Sequence, residues 1–270
     1  MSAQTLPPRE KGVIHRADGD IAYETMGAGP PLVFAHGLGG NLLSWWQQLP
    51  HFAQTHTCVT FSHRGFFPST APSNPTAFAD DLLALADQLR LDRISIVAQS
   101  MGGWTAIEFA LAHPDRLTRM VLASTSGAID PRQAGVDPTA LEAWQTKAAA
   151  SHASGVHPAM GQRGAAEQPE MHYLYRAMDE LSVGLDKEAL RAGLGRSRTR
   201  PATDLAAIAS PTLWLTGAED LVFPSLVAPA MAAHMSNARH VSVPEAGHSA
   251  YFERPHAFNK IVADFLAETA

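Results

Sequence analysis

The feature that most constrains this chain is an alternation. Short apolar runs suited to strands take turns with longer runs that repeat leucine and alanine at helical spacing. Pro31 to Ala35, Cys58 to Phe61, Ile94 to Ala98, Arg119 to Ala123 and Thr212 to Thr216 read as strands. Thr76 to Leu89 and Met101 to Ala112 read as the helices between them. Gly12 to Arg16 and Ile21 to Thr25 flank an Asp18-Gly19 turn signal and read as a hairpin. Val241 to Val243 is the last strand and Ala257 to Ala267 the last helix. Helices are also expected over Ser44 to Ala53, with Ser44 as N-cap, and over Val222 to Met235. The pattern predicts an α/β fold: a mostly parallel, eight-stranded sheet with helices on both faces.

The texture changes between residues 126 and 200. Strand-like runs vanish, and helices are expected over Leu141 to Ala150 and Glu170 to Leu181. Because the strand pattern returns afterwards, the reading is a core of residues 1–125 and 201–270 interrupted by a helical insertion at 126–200. With 270 residues, 46% of them apolar, a sizeable core is available. The net charge of −6 and the lack of basic runs argue against a nucleic-acid partner. Arg196, Arg198 and Arg200 form the tightest basic cluster and read as a solvated turn. Cys58 is the single cysteine, so no intrachain disulfide forms, and its apolar neighbours mark a buried thiol. Met1 to Gly12 lacks the apolar core of a signal peptide, and no apolar stretch is long enough to span a bilayer. The expectation is a cytoplasmic protein acting on a small molecule, with no membrane partner and with a homodimer left open.

Ile96-Val97-Ala98-Gln99-Ser100-Met101-Gly102-Gly103 carries the sharpest chemical signal. A strand runs into a tight turn and a helix begins at once, which would aim the Ser100 hydroxyl out from the end of the strand. Such a turn needs small residues on either side, and Ala98 and Gly102 meet that need, although the first position is alanine where G-x-S-x-G has glycine. A serine N-cap at an ordinary strand–helix turn would look the same. A serine needs a base to become nucleophilic. Among 13 histidines, His248 stands out because Gly247-His248 directly follows the last strand. The loop after Thr212 to Thr216 offers Asp220, or alternatively Glu219, as the acid behind that imidazole. The order serine, acid, histidine is the one expected for this turn. For the oxyanion, the amide after the nucleophile belongs to Met101. A second is assigned to Leu38 in His36-Gly37-Leu38-Gly39-Gly40. No histidine or cysteine spacing suggests a metal, and the glycine loop fails a dinucleotide fingerprint at Leu42, so no cofactor is expected.

Together these segments resemble the α/β-hydrolase superfamily along almost the whole chain. His36 to Gly40 is similar to its oxyanion loop. Ser62 to Ser69 is similar to its D-x-R-G-x-G-x-S segment, with Ser62 in place of the aspartate and Phe67 in place of the second glycine. Gln99 to Gly103 and Gly247 to Pro255 complete the likeness, which implies that 126–200 is a helical cap over the active site. The Ser-Met-Gly-Gly turn also resembles those of carbon–carbon bond hydrolases, enol-lactonases and cofactor-free haloperoxidase/esterases. The first of these groups usually has an aromatic residue after the histidine, where this chain has Ser249.

The expected activity is hydrolysis of a carboxylic ester, thioester or lactone of a small, largely apolar substrate through an acyl-enzyme. The alternatives are C–C cleavage of a vinylogous diketone, favoured by a cation facing a substrate carboxylate, and ligand reception on a hydrolase fold. The expected pocket takes in Gly37, Trp104, Met171, Tyr175 and Met178, the last three on one stripe with Leu174. His172 and Arg176 lie one turn apart on the same helix and could meet an anionic substrate end.

Overall fold

The computed structural model describes residues 6–151 and 155–268; the first five residues of the N-terminal segment considered above lie outside them. Eight strands form one sheet in the order β1-β2-β4-β3-β5-β6-β7-β8. They are β1 (Arg9–Arg16), β2 (Gly19–Met26), β3 (Pro31–Ala35), β4 (Thr57–Phe61), β5 (Ile94–Gln99), β6 (Leu117–Ala123), β7 (Thr212–Gly217) and β8 (Ala238–Val243). The hairpin β1–β2 and the β2–β4 pair are antiparallel. All other neighbours are parallel.

Alternation along each strand splits the core into two layers. On β3, Val33 and Ala35 join the layer built by α2 (Phe78–Gln88), α3 (Gly102–Ala112) and α8 (Val227–Ala232). Leu32 and Phe34 join the opposite layer, with α1 (Leu49–Phe52), α9 (Ala250–Glu253) and α10 (Pro255–Ala267). The same division separates Ile96 and Ala98 from Val97, and Trp214 from Leu213 and Leu215. A strand covered on both faces has no solvent side, which is why β5 is an unbroken buried run. Cys58 is fully buried, and burial pushes its thiol up to about 12.

Between β6 and β7 the chain forms α4 (Pro138–Ser151), α5 (Gln162–Glu167), α6 (Pro169–Asp179) and α7 (Lys187–Arg196). A single parallel bridge, Ile129 to Arg200, closes the base of this insertion. No described helix is long and apolar enough to cross a membrane.

Two expected helices differ from those observed. The segment from Ser44 is not one helix capped by Ser44. A 3-10 turn spans Leu42–Trp45, its N-cap is Asn41, and Ser44 sits three residues in, its hydroxyl accepting from the Asn41 amide. The α-helix then starts only at Leu49, with Pro50 in its first turn, where the missing N–H costs nothing. After β7, helix begins at Val227 rather than Val222, because the Asp220 side chain takes the amides of Val222 and Phe223 at 2.8 and 2.9 Å.

Ser62 and Phe67 are joined by a hydrogen bond of their own beyond the end of β4. The Ser62 hydroxyl accepts from the Leu42 amide and donates to the Phe67 carbonyl, while Phe67 itself is exposed. Arg64 is buried nearby, held by both oxygens of Asp81 and by Asp18.

Candidate active site

Ser100 lies at the C-terminal end of β5, the central strand, with φ of 50°. A non-glycine residue holds this left-handed conformation only where its surroundings fix it. Here the Ser100 amide donates to the Ala123 carbonyl at 2.9 Å, and its carbonyl accepts from Thr125 Oγ1 at 2.7 Å and from the Gly103 amide at 2.9 Å. The small residue required at 102 also has a physical cause. A Cβ there would stand 2.3 Å from the carbonyl oxygen of Ala35 at the end of β3. The serine side chain is partly exposed, and among the described residues its hydroxyl has no hydrogen-bond partner.

His248 and Asp220 meet at the same end of the sheet. His248 Nδ1 lies 2.9 and 3.1 Å from the two carboxylate oxygens of Asp220, and both residues are buried. A carboxylate accepts, so Nδ1 carries the proton and Nε2 is left as the acceptor. Glu219, the other candidate acid, is turned away and bonds Arg163 at 2.9 Å. The two loops are locked to one another: the Glu219 amide donates to the Ala246 carbonyl at 2.8 Å. Gln99 Nε2 donates to the His248 carbonyl at 3.2 Å, which ties the histidine loop to the residue before Ser100.

Neither the Leu38 nor the Met101 amide has an acceptor among the described residues. Leu38 is oriented through its neighbour. His36 Nε2 accepts the His63 amide at 2.9 Å, so Nδ1 is the protonated nitrogen, and it donates to the Gly37 carbonyl at 2.8 Å. In a trans peptide the N–H points opposite to the C=O, so holding the Gly37 oxygen on His36 sets the direction of the Leu38 N–H. Burial lowers the His36 pKa to about 4, which keeps the ring neutral and this tautomer in place. Gly37 is buried against Gln99 and Ser100, where a Cβ would be 2.0 Å from Gln99 Oε1.

Ser100, His248, Leu38 and Met101 share the wall of one cavity of about 510 Å³ roofed by the insertion. Of the expected pocket residues, Trp104 and Tyr175 line it. Gly37, Met171 and Met178 do not. Met178 is buried in the second core layer, and Met171 packs against it, because the apolar stripe of α6 faces the sheet domain. The cavity is also less apolar than expected, since Asp179, Lys187, Glu188, Arg191 and Arg198 join Trp104, Leu194 and Val222 in its lining. His172 and Arg176 are absent from that lining; His172 Nε2 instead accepts the His157 amide at 3.0 Å. Of the arginine cluster, Arg196 is exposed as expected, but the other two are not simply solvated. Arg200 forks onto Glu108 at 2.6 and 2.7 Å, and Arg198 faces the cavity.

The sequence reading missed Glu253. It is buried on α9, and its carboxylate accepts the amides of Gly161 at 3.1 Å, Gly247 at 3.0 Å and Ser249 at 3.3 Å. One side chain thus joins the insertion to both neighbours of His248. Burial raises its pKa against these hydrogen bonds. The only signal in the sequence was an acid closing the apolar run Ala250-Tyr251-Phe252. Trp144 on α4 adds a second tie, donating from Nε1 to the Asp220 carbonyl at 2.9 Å. Among the described residues, no group of three or more His, Cys, Asp or Glu side chains is placed to hold a metal.

The family model for the alpha/beta hydrolase fold matches residues 30–255, and the chain belongs to that family. It is 27% identical over 272 residues to 3-oxoadipate enol-lactonase 2 of Acinetobacter baylyi, covering 93% of this chain and 95% of that one. It is 26% identical over 269 residues to 2-hydroxymuconate semialdehyde hydrolase of a Pseudomonas species, covering 90% and 88%. A solved structure described as Est816, an N-acyl homoserine lactone degrading enzyme, superposes with a TM-score of 0.78 at 28% identity, over 94% of this chain and all of that one.

Proposed function

We propose that the protein is a serine hydrolase that cleaves a carboxylic ester, thioester or lactone through an acyl-enzyme. The observation that carries this reading is the buried His248–Asp220 pair, whose histidine lines the same cavity as Ser100, which is held at a strained turn. His248 Nε2 takes the Ser100 proton as the oxygen attacks the carbonyl. The developing oxyanion is met by the Leu38 and Met101 amides. Asp220 holds the Nδ1 tautomer and offsets the imidazolium charge. The same imidazolium then protonates the leaving oxygen or sulfur, and a water deprotonated by Nε2 releases the acid. The enol-lactonase and acyl-homoserine lactonase relatives support a lactone or ester carbonyl as the target.

The C–C hydrolase reading keeps one observation in its favour, the cationic side chains in the lining, and the semialdehyde hydrolase relative is consistent with it. Ser249 stands where that group carries an aromatic residue. A pure receptor has no use for a protonated Nδ1 buried on a carboxylate.

The test is a fluorophosphonate probe together with a panel of short aryl esters, lactones and one carboxylated vinylogous diketone. Ser100 is the labelled residue, and Ser100→Ala lowers kcat by about 10⁴-fold or more. Wild-type turnover in that variant refutes the assignment, and a diketone turned over faster than every ester moves it to C–C cleavage.

A further inference from the structure

The charged residues of the cavity wall are not equivalent. Lys187 Nζ lies 2.7 Å from Asp179 Oδ1, and Arg191 is paired with Glu188. These four charges cancel in pairs. Arg198 is left over. Its Nε is buried without a hydrogen-bond partner, and among the described residues no carboxylate lies within ion-pair distance of its guanidinium. The acid that acts on it electrostatically, Asp130, is already occupied by a two-pronged pair with Arg132 at 2.9 and 2.8 Å.

A half-buried cation without a partner is costly, since desolvation is not offset by hydrogen bonds. The protein nevertheless builds a platform for it. The guanidinium carbon lies 4.8 Å from the centroid of the Trp104 ring, a cation–π stack. Trp104 is itself fixed, its Nε1 donating to Ser197 Oγ at 2.9 Å, and that hydroxyl donates in turn to the Leu194 carbonyl. The stacked face is satisfied while the planar donor edge is not. Arg198 lines the same cavity as Ser100 and His248, and none of its guanidinium nitrogens has a hydrogen-bond partner among the described residues. Trp104 lies four residues after Ser100, in the first turn of α3, and both line the same cavity, so the platform and the serine face one substrate space. Burial draws the Arg198 pKa down from the usual guanidinium value, but an arginine remains charged at neutral pH.

We propose that Arg198, stacked on Trp104, recognises a carboxylate carried by the substrate a few bonds from the scissile ester or lactone carbonyl. The single uncompensated charge matches a monoanion. A phosphate monoester, with nearly two charges, would leave one unpaired. A guanidinium edge offers two parallel N–H donors to the two oxygens of a carboxylate. The inference rests on the hydrolase reading above and narrows it from a largely apolar substrate to an acidic one.

The test compares mono-4-nitrophenyl glutarate with its methyl ester in the wild type, Arg198→Gln and Arg198→Lys. The wild type favours the acid in kcat/KM by about 10- to 100-fold, the worth of a charge-assisted hydrogen-bonded pair. Arg198→Gln brings the ratio near one, and Arg198→Lys, which keeps the charge but not the planar stack, gives an intermediate ratio. A second measurement does not depend on turnover. Monomethyl glutarate is titrated against Ser100→Ala and against Ser100→Ala/Arg198→Gln, followed by tryptophan fluorescence, and binds the former at least about 10-fold tighter. An equal ratio across the three enzymes, a parallel loss of both esters, or equal binding to the two Ser100→Ala proteins overturns the proposal. Failure of both esters to turn over while glutarate binding still depends on Arg198 overturns the hydrolase reading and leaves carboxylate recognition standing.

Discussion

Acidification should destabilise this protein in part through His36, one of two buried, adjoining imidazoles whose pKa burial lowers. His36 is fully buried, and its folded pKa is about 4 against an unperturbed 6.5. The folded pKa is depressed, so the unfolded chain binds more protons across this window. Stability is therefore complete above about pH 6.5 and is lost as pH falls toward 4. At pH 5 an unfolded imidazole is almost wholly charged, whereas folded His36 is charged in only roughly a tenth of molecules. Integrated from pH 7 to pH 5, His36 alone removes about 2 kcal/mol of folding stability. The perturbation is His36→Asn, whose Nδ2 can still donate to the Gly37 carbonyl but which has no charge to gain. Urea unfolding of both proteins at pH 7 and pH 5 gives the four free energies required. The wild type is expected to lose about 2 kcal/mol more than the variant over this interval, whatever their absolute stabilities. Equal losses in the two proteins refute the argument, because they mean that His36 does not titrate differently when folded.

Three further outcomes follow from contacts around the site. Gly217→Ala would place a Cβ 2.0 Å from the Gly247 carbonyl and 2.4 Å from that of Ala246, so the His248 loop must shift. kcat should fall by about 100-fold in a protein that still melts cooperatively, and an unchanged kcat contradicts this packing. Glu253→Gln replaces an acceptor for three amides with a group that is half donor; midpoint stability should drop by about 1–3 kcal/mol and kcat should fall while KM holds. A variant as stable and active as wild type shows that the tie is dispensable. Cys58, with its thiol raised to about 12, should react with a disulfide reagent only as fast as the protein unfolds, and rapid labelling under native conditions counts against its burial.

Much of this architecture was legible in the amino-acid order, for identifiable reasons. β5 and its turn stood out because a strand buried on both faces must be apolar throughout, and because β3 leaves no room for a side chain at 102. Ser100, Asp220 and His248 could be chosen by their positions just after strands, since a parallel sheet brings those ends to one edge. What escaped depended on distant partners. Arg198 looked solvated because nothing local announces Trp104 beneath it. Glu253 had no role assigned, because its three amides come from 161, 247 and 249. The stripe of Met171 and Met178 had the periodicity of a pocket wall, but periodicity gives only the buried side of a helix and not what lies against it. Ser44 and Val222 failed as helix starts because Asn41 and Asp220 had already claimed the nearby amides.

The proposed nucleophile, base and acid are rooted in loops at strand ends, whereas Tyr175 and Arg191 arrive on inserted helices and Arg198 on the segment just after α7. On the function proposed above, reactivity sits on the core while selectivity is shared between Trp104 of the core and side chains of the insertion. An exchange of residues 138–198 for another helical segment would re-address the enzyme to a different molecule without redesigning its chemistry, provided that its ties to the histidine and aspartate loops survive the graft. Among those ties are the Gly161 amide on Glu253, the Trp144 indole on the Asp220 carbonyl and Arg163 on Glu219, and a transplant lacking them would leave the two loops to find their own positions.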